Sequence, residues 1–244
     1  MKRFDNIQLL VNQEDFSKDL LGKKEDIDFD IQYLKSIEST NVGEELKDNF
    51  IDLIKELTIL DSFDIETVDK LLFIDTETTH LNGFIVSLAM IEYSLKENKI
   101  IKSYYKEFNP LIKIEEESFK IHKISNEQIA NAETFDMNKE EILSYIENSN
   151  LIIAFNAIYD IGSLIREFER SNLIIKSFKY LDLMKRIKHI IKAKNSIGSL
   201  KDPSLKEAAT FFNIENDESQ LHNALYDTEI LLKVFQSCVN YSLN

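Results

Sequence analysis

Along the first 69 residues the apolar positions recur at helical intervals, and from residue 71 they change to the short continuous runs of buried strands. Phe50, Ile51, Leu53, Ile54, Leu57 and Leu60 fall at helical spacing, with an earlier set at Leu9, Leu10, Phe16, Leu20 and Leu21. This predicts a small helical segment over 1–69, joined through DSFDIETVDK (61–70) to an α/β domain over 70–244. LLFIDTET (71–78) is too short for a helix and apolar enough for a buried strand. FIVSLAMIEYSL (84–95) and IIKSYYKEF (100–108) flank the polar KEN at 96–98 and read as a hairpin, which Asn109-Pro110 ends by removing a ladder donor. Ser125 caps a helix at SNEQIANA, and further helices are predicted over 138–149, 160–171, 203–213 and 223–239. LIIAF (151–155) and FKYLDL (178–183) are core strands, the second followed by a basic amphipathic helix, MKRIKHIIKAK. Strands alternating with helices after an antiparallel hairpin predict an α/β fold with a mixed sheet covered by helices.

Composition excludes several classes. No run of about 18 apolar residues spans a bilayer. The N-terminal stretch MKRFDNIQLLVNQEDF meets acids before any apolar core of a signal peptide forms. A single cysteine, Cys238, sits in a helical apolar pattern and allows no internal disulfide framework, so a cytoplasmic protein is expected. The net charge of −14 argues against a phosphate-rich partner until its distribution is considered. Residues 1–69 carry 8 Lys/Arg against 18 Asp/Glu, whereas residues 70–244 carry 21 against 25. Nine basic residues gather between 176 and 206 against Asp182 and Asp202, and the basic helix at 185–194 is a surface for a nucleic-acid strand or an ordinary solvated face.

Three acidic elements carry the candidate chemistry. Asp75 and Glu77 close the first strand two positions apart, so they project from one face of a sheet edge, where paired carboxylates attract hard divalent cations. Alone, such a pair is usually a solvated strand end. In AFNAIYDIGSL a buried strand delivers Asn156 to its end and Asp160 to a helix start, where an acid is also favoured by the helix dipole and an asparagine by a turn. In HNALYDTEILLKVF, His222 precedes a helix, and Asp227 borders its buried stripe of Ala224, Leu225, Thr228, Leu231, Leu232 and Phe235.

Together, FIDTETT, the Asn156-Ala157 pair with Asp160, and His222 with Ala224 and Asp227 resemble the motifs of the DEDDh exonucleases, the family of the proofreading subunit of bacterial replicative polymerases and of ribonuclease T. The resemblance covers about 70–240 and extends to FNPLIKI, IHKISNEQIANA, KYLDLM and SLKEAATFFNI. It implies a ribonuclease H-like mixed five-stranded sheet flanked by helices and a 3′-to-5′ exonuclease that releases nucleoside monophosphates from DNA or RNA, with a single-stranded 3′ end as the expected substrate. It further implies two Mg²⁺ or Mn²⁺ ions held by Asp75, Glu77, Asp160 and Asp227, and His222 as general base. Thr78, Leu81, Phe84 and Asn156 are the implied substrate contacts, Phe84 being equally well a packing residue. Departures from the family pattern are His80 and Lys123 where glycines are usual, Phe155 where a histidine is usual, and Tyr159 for a common phenylalanine. An inactive binding or assembly module of the same fold is the alternative. The acidic 1–69 segment is expected to act as a gate or a protein-contact surface.

Overall fold

The computed structural model describes residues 69–173, 179–217 and 219–241, so the helical segment expected over 1–69 lies outside the described residues apart from Asp69. The elements run β1 (Lys70–Thr78), β2 (Ile85–Ser94), β3 (Lys99–Glu107), α1 (Glu116–His122), α2 (Asn126–Ile129), α3 (Phe135–Glu147), β4 (Leu151–Ala154), α4 (Ala157–Arg170), β5 (Tyr180–Asp182), α5 (Leu183–Ile191), α6 (Leu205–Phe211) and α7 (Ala224–Tyr241). They form a mixed five-stranded sheet ordered β3-β2-β1-β4-β5. β1 pairs antiparallel with β2 and parallel with β4, which places Phe73 opposite both Ile91 and Ile153.

Strand alternation divides the core into two layers. Leu71 and Phe73 face one side, where Ile91, Tyr93, Leu151 and Ile153 pack against α5, α6 and α7. Leu72 and Ile74 face the other, where Leu88, Met90, Ile152 and Ala154 pack against α3 and α4. With both faces covered, β2 is buried along its whole length, which is why it reads as a continuous apolar run. Phe73 is edge-on to both Tyr93 and Phe235, tying the sheet to α7. β3 is the outer strand and keeps Ile100 and Ile101 exposed.

Helices α1, α3 and α4 differ from the sequence-based expectation. The short helix α1 was not anticipated: its first-turn acids Glu116 and Glu117 favour the helix N-terminus, but only His122 is buried, so it leaves no apolar stripe in the sequence. Helices α3 and α4 each begin three residues earlier than expected, because Phe135 packs into the core with Phe108 and Phe168, and because Asp182 caps the start of α4.

Candidate active site

The alternation that divides the core also builds the site. Continuing the Leu71–Phe73 face, Asp75 and Glu77 point toward α7, which brings Asp227. Thr76, between them, points toward α4 and brings Asp160: one carboxylate oxygen of Asp160 accepts from the Thr76 amide at 2.9 Å and from its hydroxyl at 2.8 Å. Acids from β1, α4 and α7 therefore close around the end of the central strand.

The metal-ligating atoms of Glu77, His222 and Asp227 lie within 4.8 Å of one another. His222 precedes α7 in a left-handed conformation (φ 65°), and its backbone N–H donates to Asp227 Oδ2 at 2.9 Å. That bond fixes the main chain of His222 while its ring stays exposed. The other oxygen of Asp227, Oδ1, is buried and accepts no hydrogen bond among the described residues.

The electrostatics are those of crowded anions. Burial, and then the charges of Asp160, Glu77 and Asp227, hold the Asp75 carboxyl well above its ordinary range. Burial and the charges of Asp227 and Asp160 do the same to Glu77. Burial raises Asp160 to about 8 despite its bonds from Thr76, and raises Asp227 to about 6 despite the His222 amide. A divalent cation fits this donor set: four convergent carboxylates repel one another, all offer hard oxygens, and one buried oxygen has no partner.

The expected substrate contacts are placed differently from one another. Leu81 stands 68% exposed on the turn after β1. Thr78 is buried, its hydroxyl donating to the His80 carbonyl at 2.8 Å and in close contact with the Tyr159 hydroxyl. That contact gives Tyr159 a role a phenylalanine cannot fill. The Phe84 ring lies under the Arg170 guanidinium, 4.1 Å from its centroid. Asn156 is exposed and left-handed (φ 70°) at the N-cap of α4, where its side chain makes no capping bond. Lys123 adopts φ 61° at the end of α1, the conformation that makes glycine usual there.

Asp182 was not singled out from the sequence. Its carboxylate ends β5 and accepts from the amides of Asn156 (3.2 Å), Ala157 (3.1 Å) and Lys185 (3.4 Å), so one side chain organises the starts of α4 and α5. An acid between a strand and a helix is its only sequence signal, and ordinary caps share it. His122 stands beside Lys123, one of the departures from the family pattern. It is buried, its Nδ1 accepting from the Ile124 amide at 3.0 Å, and burial lowers its pKa.

A mixed sheet whose central strand ends in two acids, met by a third and a fourth from helices on opposite faces, is a ribonuclease H-like fold with an acidic cluster at the end of its central strand. The exonuclease family model RNase_T matches residues 72–235, and the chain belongs to that family of exonucleases. It is 32% identical over 170 residues to the DNA polymerase III subunit epsilon of Rickettsia prowazekii (strain Madrid E), covering 67% of this chain and 71% of that one. To the epsilon subunit of Pasteurella multocida (strain Pm70) it is 26% identical over 170 residues, covering 66% of this chain and 65% of that one, so it spans about two thirds of these relatives' length. Among solved structures, the fold is similar to Exonuclease X in complex with 5′ overhanging duplex DNA (TM-score 0.52, 22% identity, 70% of this chain and 92% of that one). It is also similar to E. coli Exonuclease I in complex with a dA16 oligonucleotide (TM-score 0.61, 16% identity, 71% of this chain and 41% of that one). No described helix is long and apolar enough to cross a membrane.

Proposed function

We propose that the chain is a divalent-metal-dependent 3′-to-5′ DNA exonuclease that removes single nucleotides from an unpaired 3′ end. The observation that carries this reading is the convergence of Asp75, Glu77, Asp160 and Asp227 on one strand end, with His222 beside Glu77 and Asp227. The preference for DNA is supported by relatives that are DNA polymerase subunits and by a structural neighbour that holds an oligodeoxynucleotide. A cytoplasmic location fits the bacterial polymerase subunits among its relatives.

Asp75, Glu77, Asp160 and Asp227 would hold two Mg²⁺ or Mn²⁺ ions. Bound there, such ions supply Lewis acidity toward the phosphate and lower the pKa of an attacking water. His222, exposed beside Glu77 and Asp227, is placed to take the proton of an attacking water. The Asp227 bond to its backbone keeps the ring at the cleft. Thr76 orients Asp160 through two bonds to one oxygen, leaving the other for a cation. Leu81 meets the terminal nucleotide from the turn that follows β1.

Digestion of oligomers blocked at the 3′ or the 5′ end, as DNA and as RNA, tests the reading in Mg²⁺, Mn²⁺ and EDTA. Stepwise release of nucleoside monophosphates from free 3′ DNA ends, abolished by EDTA and by Asp75→Ala or Asp227→Ala in folded protein, is expected. Activity surviving in either variant removes the assignment, and release from 3′-blocked but not 5′-blocked oligomers reverses the polarity.

A further inference from the structure

The turn that presents Leu81 is tight. The Thr79 amide donates to the Phe84 carbonyl at 2.9 Å, the Gly83 amide to the His80 carbonyl at 2.7 Å and the Phe84 amide to Thr79 Oγ1 at 3.1 Å. Asn82 sits at φ 64°, and a Cβ on Gly83 would fall 2.4 Å from Thr79 Oγ1 and 2.6 Å from the His80 nitrogen. The turn has one internal shape, and what remains to be set is where it stands relative to the acids.

Three charged side chains in the last turns of α4 reach it. Arg166 Nε donates to the Gly83 carbonyl at 3.4 Å, and the Ile85 amide donates to Glu167 Oε1 at 2.9 Å. Arg170 lies over the Phe84 ring, pairs with Glu167 at 3.1 Å and donates to the Pro110 carbonyl at 2.8 Å. The segment after Pro110 is bonded back to the same turn, the Glu115 amide donating to the Thr79 carbonyl at 2.9 Å. Arg166 and Glu167 are buried. Burying each ion costs several kcal/mol before pairing, and apolar residues would pack a helix on a sheet without that cost. What the charges supply is direction: they bond to main-chain atoms at 83, 85 and 110 and stack on the ring between.

We propose that Arg166, Glu167 and Arg170 are positioning residues for the substrate, holding the 80–83 turn, and with it Leu81, in register with the acidic centre. The same helix carries Asp160 in its first turn, so one rigid element gauges both ends of the distance from the cleaved phosphate to the terminal nucleotide. This rests on the exonuclease reading above, which is where Leu81 acquires a nucleotide to meet.

The test is a double-mutant cycle of Arg170→Met with Leu81→Ala, assayed on a single-stranded DNA oligomer and on bis(p-nitrophenyl) phosphate, a phosphodiester with neither base nor sugar. Methionine keeps an apolar stem on Phe84 and loses the bonds to Pro110 and Glu167. Arg170→Met is expected to lower kcat/KM on the oligomer about tenfold or more, chiefly through KM, as a misplacement of about 1 Å can. On the simple diester it should stay within about twofold of the parent, and its effect on the oligomer should largely vanish in the Leu81→Ala background. Equal losses on both substrates, or additive losses in the cycle, overturn the positioning role. A parent protein that leaves the oligomer intact overturns the exonuclease reading instead. Should Arg170→Met not fold, Arg170→Lys, which keeps the charge and drops the fork, is read by the same criteria.

Discussion

Asp75 shows at a single residue what the site costs the fold. Its carboxyl, like those of Glu77, Asp160 and Asp227, binds a proton more tightly in the folded chain than in the unfolded one. Stability from these groups is therefore present at low pH and is lost as the pH rises through their folded-state values, about 6 for Asp227 and about 8 for Asp160. Asp75→Asn removes an ionisable carboxyl from the centre of the cluster, so the metal-free variant should gain on the parent in melting temperature as the pH is raised, with about 2–4 °C expected per kcal/mol for a chain of this size. Mn²⁺ should raise the melting temperature of the parent and leave the variant nearly unmoved. A variant that melts lower, or that still gains from Mn²⁺, counts against Asp75 as a metal ligand. His222→Ala separates proton transfer from metal holding. We expect kcat to fall by about 10²–10⁴, the usual contribution of a general base, with the Mn²⁺-dependent rise in melting temperature retained. If that rise disappears, His222 is a ligand rather than a base.

Among the elements, the short strand β5 matters through its last residue. Asp182→Ala leaves the Asn156, Ala157 and Lys185 amides without their acceptor, and losing a helix cap costs about 1–2 kcal/mol. It also loosens the first turn of α4, which aims Asp160. We expect a lower melting temperature together with a kcat at least about tenfold down and KM little changed; a fall in melting temperature alone would make Asp182 a cap and nothing more. This element also marks where sequence reasoning stopped. Asp75 and Glu77 were legible because alternation ties their direction to Leu71 and Phe73, and Asp227 because it borders the buried stripe of α7. The starts of α3 and α4 were not, because Phe135 and Asp182 act through partners distant in sequence. Nor was α1 legible: seven residues with one buried side chain generate no periodicity. Phe84 and Thr78 could be placed beside the site by their position after the first acids, but whether a side chain is open or covered depends on Arg170 and Tyr159, some 80 residues away.

Over the whole molecule, charge is unevenly divided. Residues 1–69 hold 18 acids against 8 bases, while the described sheet begins at Lys70. The basic stretch, read from the sequence as a surface for a strand or an ordinary solvated face, is partly engaged within the fold: Lys185 and Lys188 both pair with Asp202, at 2.9 and 3.0 Å, and Lys201 pairs with Glu207 at 2.7 Å. With part of its basic stretch engaged and an acidic segment attached, the exonuclease domain meets phosphate against an unfavourable field. Deleting residues 1–68 should therefore lower KM for a DNA oligomer at about 10 mM salt, where fields extend about 30 Å, and change it little at about 150 mM, where they reach about 8 Å. Because kcat depends on the local geometry of β1, α4 and α7, it should stay within about twofold. A KM that is the same with and without the segment at both salt concentrations removes electrostatic gating as its role. A KM that rises on deletion would mean that residues 1–68 grip the substrate, contrary to their charge.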